Sequence, residues 1–88
     1  MQLRFDKSFE KDIRKLSDGD VLKRLKERIL LLKSANTLAE IPELKKIKGY
    51  AGYYRIRIGD YRLGVELEDQ TVALVRFLHR KEIYRKFP

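Results

Sequence analysis

The sequence predicts an α+β fold, in which a hairpin of two helices packs on one face of a small, mainly antiparallel four-stranded sheet. Apolar residues recur at helical spacing between residues 5 and 32. Between residues 53 and 66 apolar and basic residues alternate with a period of two, which is typical of strands. Residues 71–78 form a nearly continuous apolar run, which favours a central strand. The predicted order is β-α-α-β-β-β with a short C-terminal helix, in a single domain over residues 1–88.

The first half of the chain is predicted to hold one short strand and both helices. Residues 2–5 read as the strand, Asp6 is placed to cap the first helix, and residues 17–20 form a turn that caps the second. The apolar stripes of the two helices comprise Phe5, Phe9, Ile13 and Leu16, then Leu22, Leu25, Ile29 and Leu32, widened by Leu30 and Leu31. Their charged residues are interpreted as solvated faces, namely Lys11, Arg14, Lys15, Lys23, Arg24 and Lys26.

The second half is predicted to supply the rest of the sheet. Residues 34–52 read mostly as loop, because serine, asparagine, proline and two glycines interrupt them. Strands are expected at 53–58, 61–67 and 71–78, with residues 68–70 separating the last two. The end of the chain, residues 80–88, is expected to form one or two helical turns.

The hairpin can be laid out residue by residue. Gly59-Asp60 supplies a two-residue turn, so Ile58 faces Tyr61 and the apolar residues of both strands share the face that the helices cover. On the other face Arg57 lies opposite Arg62. The remaining pairs of that face are Arg55 with Gly64, which leaves an open floor, and Tyr53 with Glu66. Like charges placed opposite each other destabilise a sheet, so this face is expected to meet an anion.

Charge is concentrated around that hairpin. The net charge is +8; residues 45–62 carry six Lys/Arg against one Asp, and residues 76–88 carry five against one Glu. The remaining residues are nearly balanced. A phosphate-rich partner would favour such a distribution through Coulomb attraction and counterion release. A solubilising surface and a dock for an acidic protein are the alternatives.

Composition excludes several classes of site. The chain has no cysteine and a single histidine, His79, so neither a disulfide framework nor a multi-histidine metal site is expected. No apolar run approaches the roughly 20 residues of a membrane span, and the first residues lack the apolar stretch of a signal peptide. We therefore expect a cytoplasmic protein that needs no cofactor, no metal and no membrane.

Three converging arginines suit phosphodiester chemistry. Arginine presents a planar fork of N–H donors and keeps its charge at physiological pH, so Arg55, Arg57 and Arg62 could hold a phosphate and stabilise added charge on it. If the substrate is RNA, its own 2′-OH can attack the adjacent phosphorus. His79 and Tyr84 are the candidates for moving protons, and the sequence leaves the choice between them open.

Two segments carry a family resemblance. Tyr54-Arg-Ile-Arg-Ile-Gly-Asp-Tyr-Arg-Leu63, followed by His79-Arg-Lys-Glu-Ile-Tyr-Arg85, resembles the RelE branch of the RelE/ParE toxin superfamily. The loop Leu44-Lys-Lys-Ile-Lys-Gly49 is similar as well, and the order of elements fits along the whole chain. The resemblance implies the toxin of a type II toxin–antitoxin system that enters the ribosomal A site and cuts mRNA without a metal.

The resemblance also implies which residues act and which partners bind. The implied catalytic residues are Arg55, Arg57, Arg62, Arg80, Tyr84 and His79. Further contacts to RNA are expected from Lys45, Lys46, Lys48, Lys81 and Arg85. The implied partners are a cognate antitoxin and the ribosomal A site with its mRNA, while operator DNA would be reached only through the antitoxin complex. The alternatives are a ParE-like inhibitor of DNA gyrase and a non-catalytic module that binds RNA or protein.

Overall fold

The computed structural model describes all 88 residues and has the predicted α+β architecture. Its elements are β1 (Gln2–Phe5), α1 (Lys7–Arg14), α2 (Gly19–Ser34), a 3₁₀ turn (Leu38–Glu40), β2 (Leu44–Lys46), β3 (Tyr53–Ile58), β4 (Tyr61–Glu68), β5 (Thr71–His79) and α3 (Arg80–Lys86). No helix combines the length and the apolar composition that crossing a bilayer requires. The two long helices, the three C-terminal strands and the terminal helix all lie where the sequence predicts them.

The sheet has five strands, so the prediction of four was wrong by one. Its order is β1-β5-β4-β3-β2, with β1 parallel to β5 and every other pair antiparallel. The additional strand β2 lies in the segment predicted as loop, where Lys45 pairs with Arg55. Three residues are too few to show a period-two pattern, so β2 is defined only by its pairing to β3.

The β3–β4 hairpin has the predicted register at all six pairs. Gly59 adopts φ +61°, a left-handed conformation that the tight turn requires and that glycine adopts without a steric penalty. Ile56, Ile58, Leu63 and Val65 are fully buried on one face. A register shifted by one residue would bury the arginines in their place, which explains why the alternation determines the pairing so well.

The main core lies between this face of the sheet and the two long helices. Phe9, Leu25 and Leu32 come from the helices and pack against the strand residues of the core, together with Phe77. The prediction that Leu30 and Leu31 widen the buried stripe was wrong, because their side chains are 55% and 38% exposed. The core stripe of α2 is therefore narrower than the apolar content of that helix suggests.

The helix starts differ in how they are capped. Asp18 caps α2 as predicted, since its Oδ1 accepts hydrogen bonds from the backbone N–H groups of Asp20 and Val21 at 3.1 and 3.2 Å. Asp6 occupies the N-cap position of α1, but its side chain makes no capping bond. It accepts instead from Nε of Arg4 at 3.1 Å.

Helix α1 continues the edge of the sheet where β1 stops. The β1–β5 pairing ends at Leu74, and from there Ser8 Oγ donates to the carbonyl of Val75 at 2.6 Å. One turn later the Asp12 carboxylate accepts the backbone N–H of Phe77 at 2.9 Å and both Nε and Nη2 of Arg76 at 2.8 and 3.0 Å. Side chains of α1 thus provide the hydrogen bonds that a neighbouring strand would otherwise make with β5.

Candidate functional site

The three hairpin arginines lie on the face of the sheet opposite the long helices. Arg57 and Arg62 are direct cross-strand partners, and Arg55 pairs with Gly64 one step along. The structure contains three ion pairs, none of which involves these arginines. The cluster is therefore unneutralised by the protein, as a site for an anion requires.

The Arg62 guanidinium is held by the backbone of its own turn. Its Nη1 donates to the carbonyls of Gly59 and Tyr61, each at 3.0 Å, and the side chain is partly buried. These bonds fix the orientation of the planar group. The other N–H groups remain available to a phosphate oxygen, so Arg62 is a preorganised donor.

Tyr84 reaches the arginines from α3. The Cζ atom of Arg55 lies 4.4 Å from the centre of the Tyr84 ring, in a cation–π arrangement. Tyr84 is nonetheless 64% exposed, so its phenol is accessible to a ligand on this face. The backbone N–H of Arg80 donates to the carbonyl of Asp60 at 2.8 Å, which ties the start of α3 to the hairpin turn. Tyr84 thus lies beside the arginine cluster, and the backbone of Arg80 lies beside the hairpin turn.

A second, smaller core holds α3 in this position. Ile83 and Phe87 are buried together with Ile47. The Phe87 ring lies directly on Gly64, where an added Cβ would come within 2.6 Å of the ring. The expectation of an open floor beside Arg55 was therefore wrong, because an aromatic side chain fills that space. Gly64 serves to let α3 approach the sheet.

We expect Gly64→Ala to loosen α3. The new methyl group would displace Phe87, which should destabilise the fold by about 1–3 kcal/mol and move Tyr84 away from Arg55. Urea unfolding measures the first effect, and the NMR chemical shifts of the Tyr84 ring measure the second. Gly19→Ala is the matched control, since no atom lies within 4 Å of its added Cβ. Equal unfolding midpoints for the two variants would contradict this packing.

His79 is not brought to the arginines. It pairs with Tyr61, whose ring it meets edge-on at 5.5 Å between centroids, and so lies on the face of the long helices. A β-bulge between Gly64 and Val65 is the cause. It inserts one unpaired residue into β5, so every later residue of β5, including His79, lies on the opposite face from the one that simple alternation predicts. The Nδ1 atom of His79 accepts the backbone N–H of Lys81 at 3.2 Å, so the imidazole caps α3.

The lysines named as RNA contacts divide between the two faces. Lys45 is exposed and pairs with Arg55, so it extends the arginine face across β2. Lys46 pairs with Tyr54 and belongs to the opposite face. The remaining three predicted RNA contacts are also exposed: Lys48 lies in the β2–β3 loop, and Lys81 and Arg85 lie on α3.

Glu66 does not neutralise the arginines. It pairs with Tyr53, and the charge of this carboxylate raises the pKa of the Tyr53 phenol above its ordinary value. Tyr53 therefore stays protonated and is a poor candidate for a general base. No group of three His, Asp or Glu side chains is arranged to hold a metal ion. Tyr84 is the tyrosine whose ring contacts Arg55 of the cluster.

Known proteins resemble this chain along most or all of its length. The family described as the ParE toxin of the type II toxin–antitoxin system parDE matches residues 3–84. The toxin RelE3 of Methanocaldococcus jannaschii is 44% identical over 89 residues, which span all of both chains.

Solved structures share the fold. The toxin in a RelB–RelE antitoxin–toxin complex from Methanococcus jannaschii superposes with a TM-score of 0.83 at 44% identity, covering 97% of this chain and 99% of that one. A RelE–RelB complex from Pyrococcus horikoshii gives 0.73 at 21% identity, over 92% and 96% of the two chains. The family match over residues 3–84 and the identity to RelE3 show that the protein belongs to the RelE/ParE superfamily of type II toxins, on its RelE branch.

Proposed function

We propose that this toxin is a ribosome-dependent mRNA endonuclease that acts without a metal. The observation that carries the proposal is the unneutralised arginine cluster, with Arg62 oriented by backbone carbonyls and Tyr84 beside Arg55. Like charges placed opposite each other destabilise a sheet, and a bound anion would offset that cost. An RNA phosphodiester is the anion that also supplies its own nucleophile.

In the proposed reaction the 2′-oxygen of the RNA attacks the adjacent phosphorus and the bond to the 5′-oxygen breaks. The 2′-hydroxyl loses its proton and the departing 5′-oxygen gains one, so the products are a 2′,3′-cyclic phosphate and a 5′-hydroxyl. Arg55, Arg57 and Arg62 stabilise the charge that develops on the phosphoryl oxygens. Arg80 adds a further cation at the hairpin turn. We assign the proton transfer to Tyr84, because its exposed ring contacts Arg55.

The ribosome supplies what the isolated site lacks. The arginine face is an open surface on which a flexible RNA would adopt many conformations. A decoding site that holds mRNA in one conformation would supply the orientation that in-line attack requires. We therefore propose the ribosomal A site with its mRNA as the working partner. Lys45, Lys48, Lys81 and Arg85 would contact the surrounding RNA, while Lys46 faces away from the cluster.

Cleavage on programmed ribosomes tests the proposal. Purified toxin should cut an mRNA at the codon in a vacant A site and leave the same RNA intact without ribosomes. Added chelator should not change the rate. Cleavage of free RNA at the same rate would contradict ribosome dependence. If RNA is never cut while supercoiling by gyrase is inhibited, the ParE-like alternative would replace the proposal.

A cognate antitoxin is the second proposed partner. The related RelE chains were crystallised as complexes with RelB antitoxins. We expect a small antitoxin, encoded beside this gene, to neutralise the toxin and to link it to operator DNA. A tagged chain expressed from its native operon should co-purify with this antitoxin. Recovery of the toxin alone, in an active form, would contradict the prediction.

A further inference from the structure

A second basic cleft opens beside the arginine cluster, at the edge of the sheet. Strand β2 begins at Leu44, which pairs with Ile56. The last two residues of β3 therefore have no strand beside them on this side. Between this end of β3 and α2 lies a cleft of about 480 Å³ with no large apolar side chain in its wall. Its lining residues are Arg24, Arg28, Pro42, Glu43, Arg57 and Gly59.

Backbone contacts place the three arginine residues at this cleft, two of them through their guanidinium groups. Arg28 Nη1 donates to the carbonyl of Pro42 at 2.8 Å. The Arg24 guanidinium lies against the hairpin turn, where a Cβ on Gly59 would come within 2.7 Å of its Nη1. Arg57 donates its backbone N–H to the carbonyl of Glu43 at 3.0 Å. The sequence suggested only that Arg24 belongs to a solvated helix face, because its contact with residue 59 is not visible in a local pattern.

The charges in this cleft are not balanced. Three arginines face one carboxylate, Glu43, and no carboxylate oxygen comes within 4.0 Å of any of them. Arg24 and Arg28 are four residues apart on α2, a spacing at which like charges destabilise a helix. Glu43 itself has φ +63°, a conformation that side chains rarely adopt. The repulsion between Arg24 and Arg28 and the backbone conformation of Glu43 both cost folding free energy. A bound anion would offset the repulsion.

We propose that this cleft is a phosphodiester subsite that holds the RNA backbone next to the scissile phosphate. Arg57 belongs to both places: it pairs with Arg62 on the hairpin and lines the cleft at the edge. A single RNA strand could therefore pass from the arginine cluster around the sheet edge onto α2. Arg24 and Arg28 are about 6 Å apart along the helix axis, so they present two cations in a row to the strand. The choice of RNA as the polyanion rests on the proposed function.

The salt dependence of RNA binding tests the subsite. The probe is a short single-stranded RNA with 2′-O-methyl groups, which can bind but cannot be cut. The test variant is Arg24→Gln with Arg28→Gln. The matched control is Lys26→Gln with Lys33→Gln, which removes the same charge from exposed positions of the same helix. Melting temperatures verify that both variants fold.

The subsite predicts a specific loss. Each phosphate contact contributes about 0.7 to the slope of log affinity against log salt for a single strand, so the slope of the test variant should fall by about 1.4. The control variant should keep nearly the full slope. Equal losses in the two variants would overturn the inference, since diffuse attraction would then explain the binding. No loss in the test variant would overturn it as well.

A separate assay keeps this inference distinct from the proposed function. If the test variant binds RNA like the wild type while the wild type cuts mRNA on ribosomes, the subsite fails and the nuclease stands. If the wild type neither binds RNA nor cuts mRNA, both fail. If the test variant loses affinity for the co-purified antitoxin and not for RNA, the cleft serves an acidic protein segment and the inference is overturned.

Discussion

Arg62→Ala is expected to lower the rate of mRNA cleavage by about 10²–10³-fold, the usual effect of removing one preorganised donor to a developing anion. The side chain is already oriented by the carbonyls of Gly59 and Tyr61, so little reorganisation is needed when charge appears on the phosphate. Its removal also relieves the repulsion with Arg57. Stability should therefore change by no more than about 1 kcal/mol.

Single-turnover cleavage on programmed ribosomes measures this effect. Arg14→Ala is the control, because it removes an exposed arginine of α1 and the same charge. Arg62→Lys keeps the charge but loses the planar fork of N–H donors. Its cleavage rate should lie between those of the wild type and Arg62→Ala. A rate for Arg62→Ala close to that of Arg14→Ala would show that net charge, and not the placed guanidinium, drives cleavage.

Asp12→Ala is expected to destabilise the fold by about 2–4 kcal/mol, the largest effect on stability that we predict. The carboxylate is buried and accepts three hydrogen bonds, two from Arg76 and one from the backbone of Phe77. Alanine would leave the N–H of Phe77 without a partner at the edge of β5. It would also remove the carboxylate that pairs with Arg76, whose side chain is 24% exposed.

Thermal and urea unfolding measure that loss. In a domain of this size each kcal/mol corresponds to about 4–8 °C, so the melting temperature should fall by more than about 8 °C. Glu82→Ala is the comparison, because Glu82 forms an exposed pair with Lys86 at 3.7 Å that contributes little. If the two variants lost the same stability, the bonds from α1 to β5 would not hold the sheet edge.

The hairpin was predictable from sequence because two local signals agree there. Alternation fixes which residues share a face, and Gly59-Asp60 fixes the turn, so the pairing of Arg57 with Arg62 follows from residues 53–66 alone. Strand β2 carries no comparable signal, since its three residues acquire strand structure only through β3. Its omission explains why the prediction has four strands and the structure five.

The site was predictable only where it depends on that hairpin. The position of His79 depends on the bulge at Gly64/Val65, and one inserted residue is enough to move it to the other face. The burial of Gly64 depends on Phe87, a contact between residues far apart in the chain. The role of Asp12 likewise depends on where β1 ends along β5. Each of these is a product of tertiary packing and leaves no periodic trace in the sequence.

Mapping new mRNA 5′ ends in growing bacteria after induction of the toxin tests the central claim most directly, with Arg62→Ala induced in parallel. The proposed nuclease predicts ends confined to translated frames, in register with codons, and absent in the variant. Growth arrest without new ends would contradict it and would direct attention to gyrase. Ends in untranslated RNA as often as in reading frames would contradict action on the ribosome.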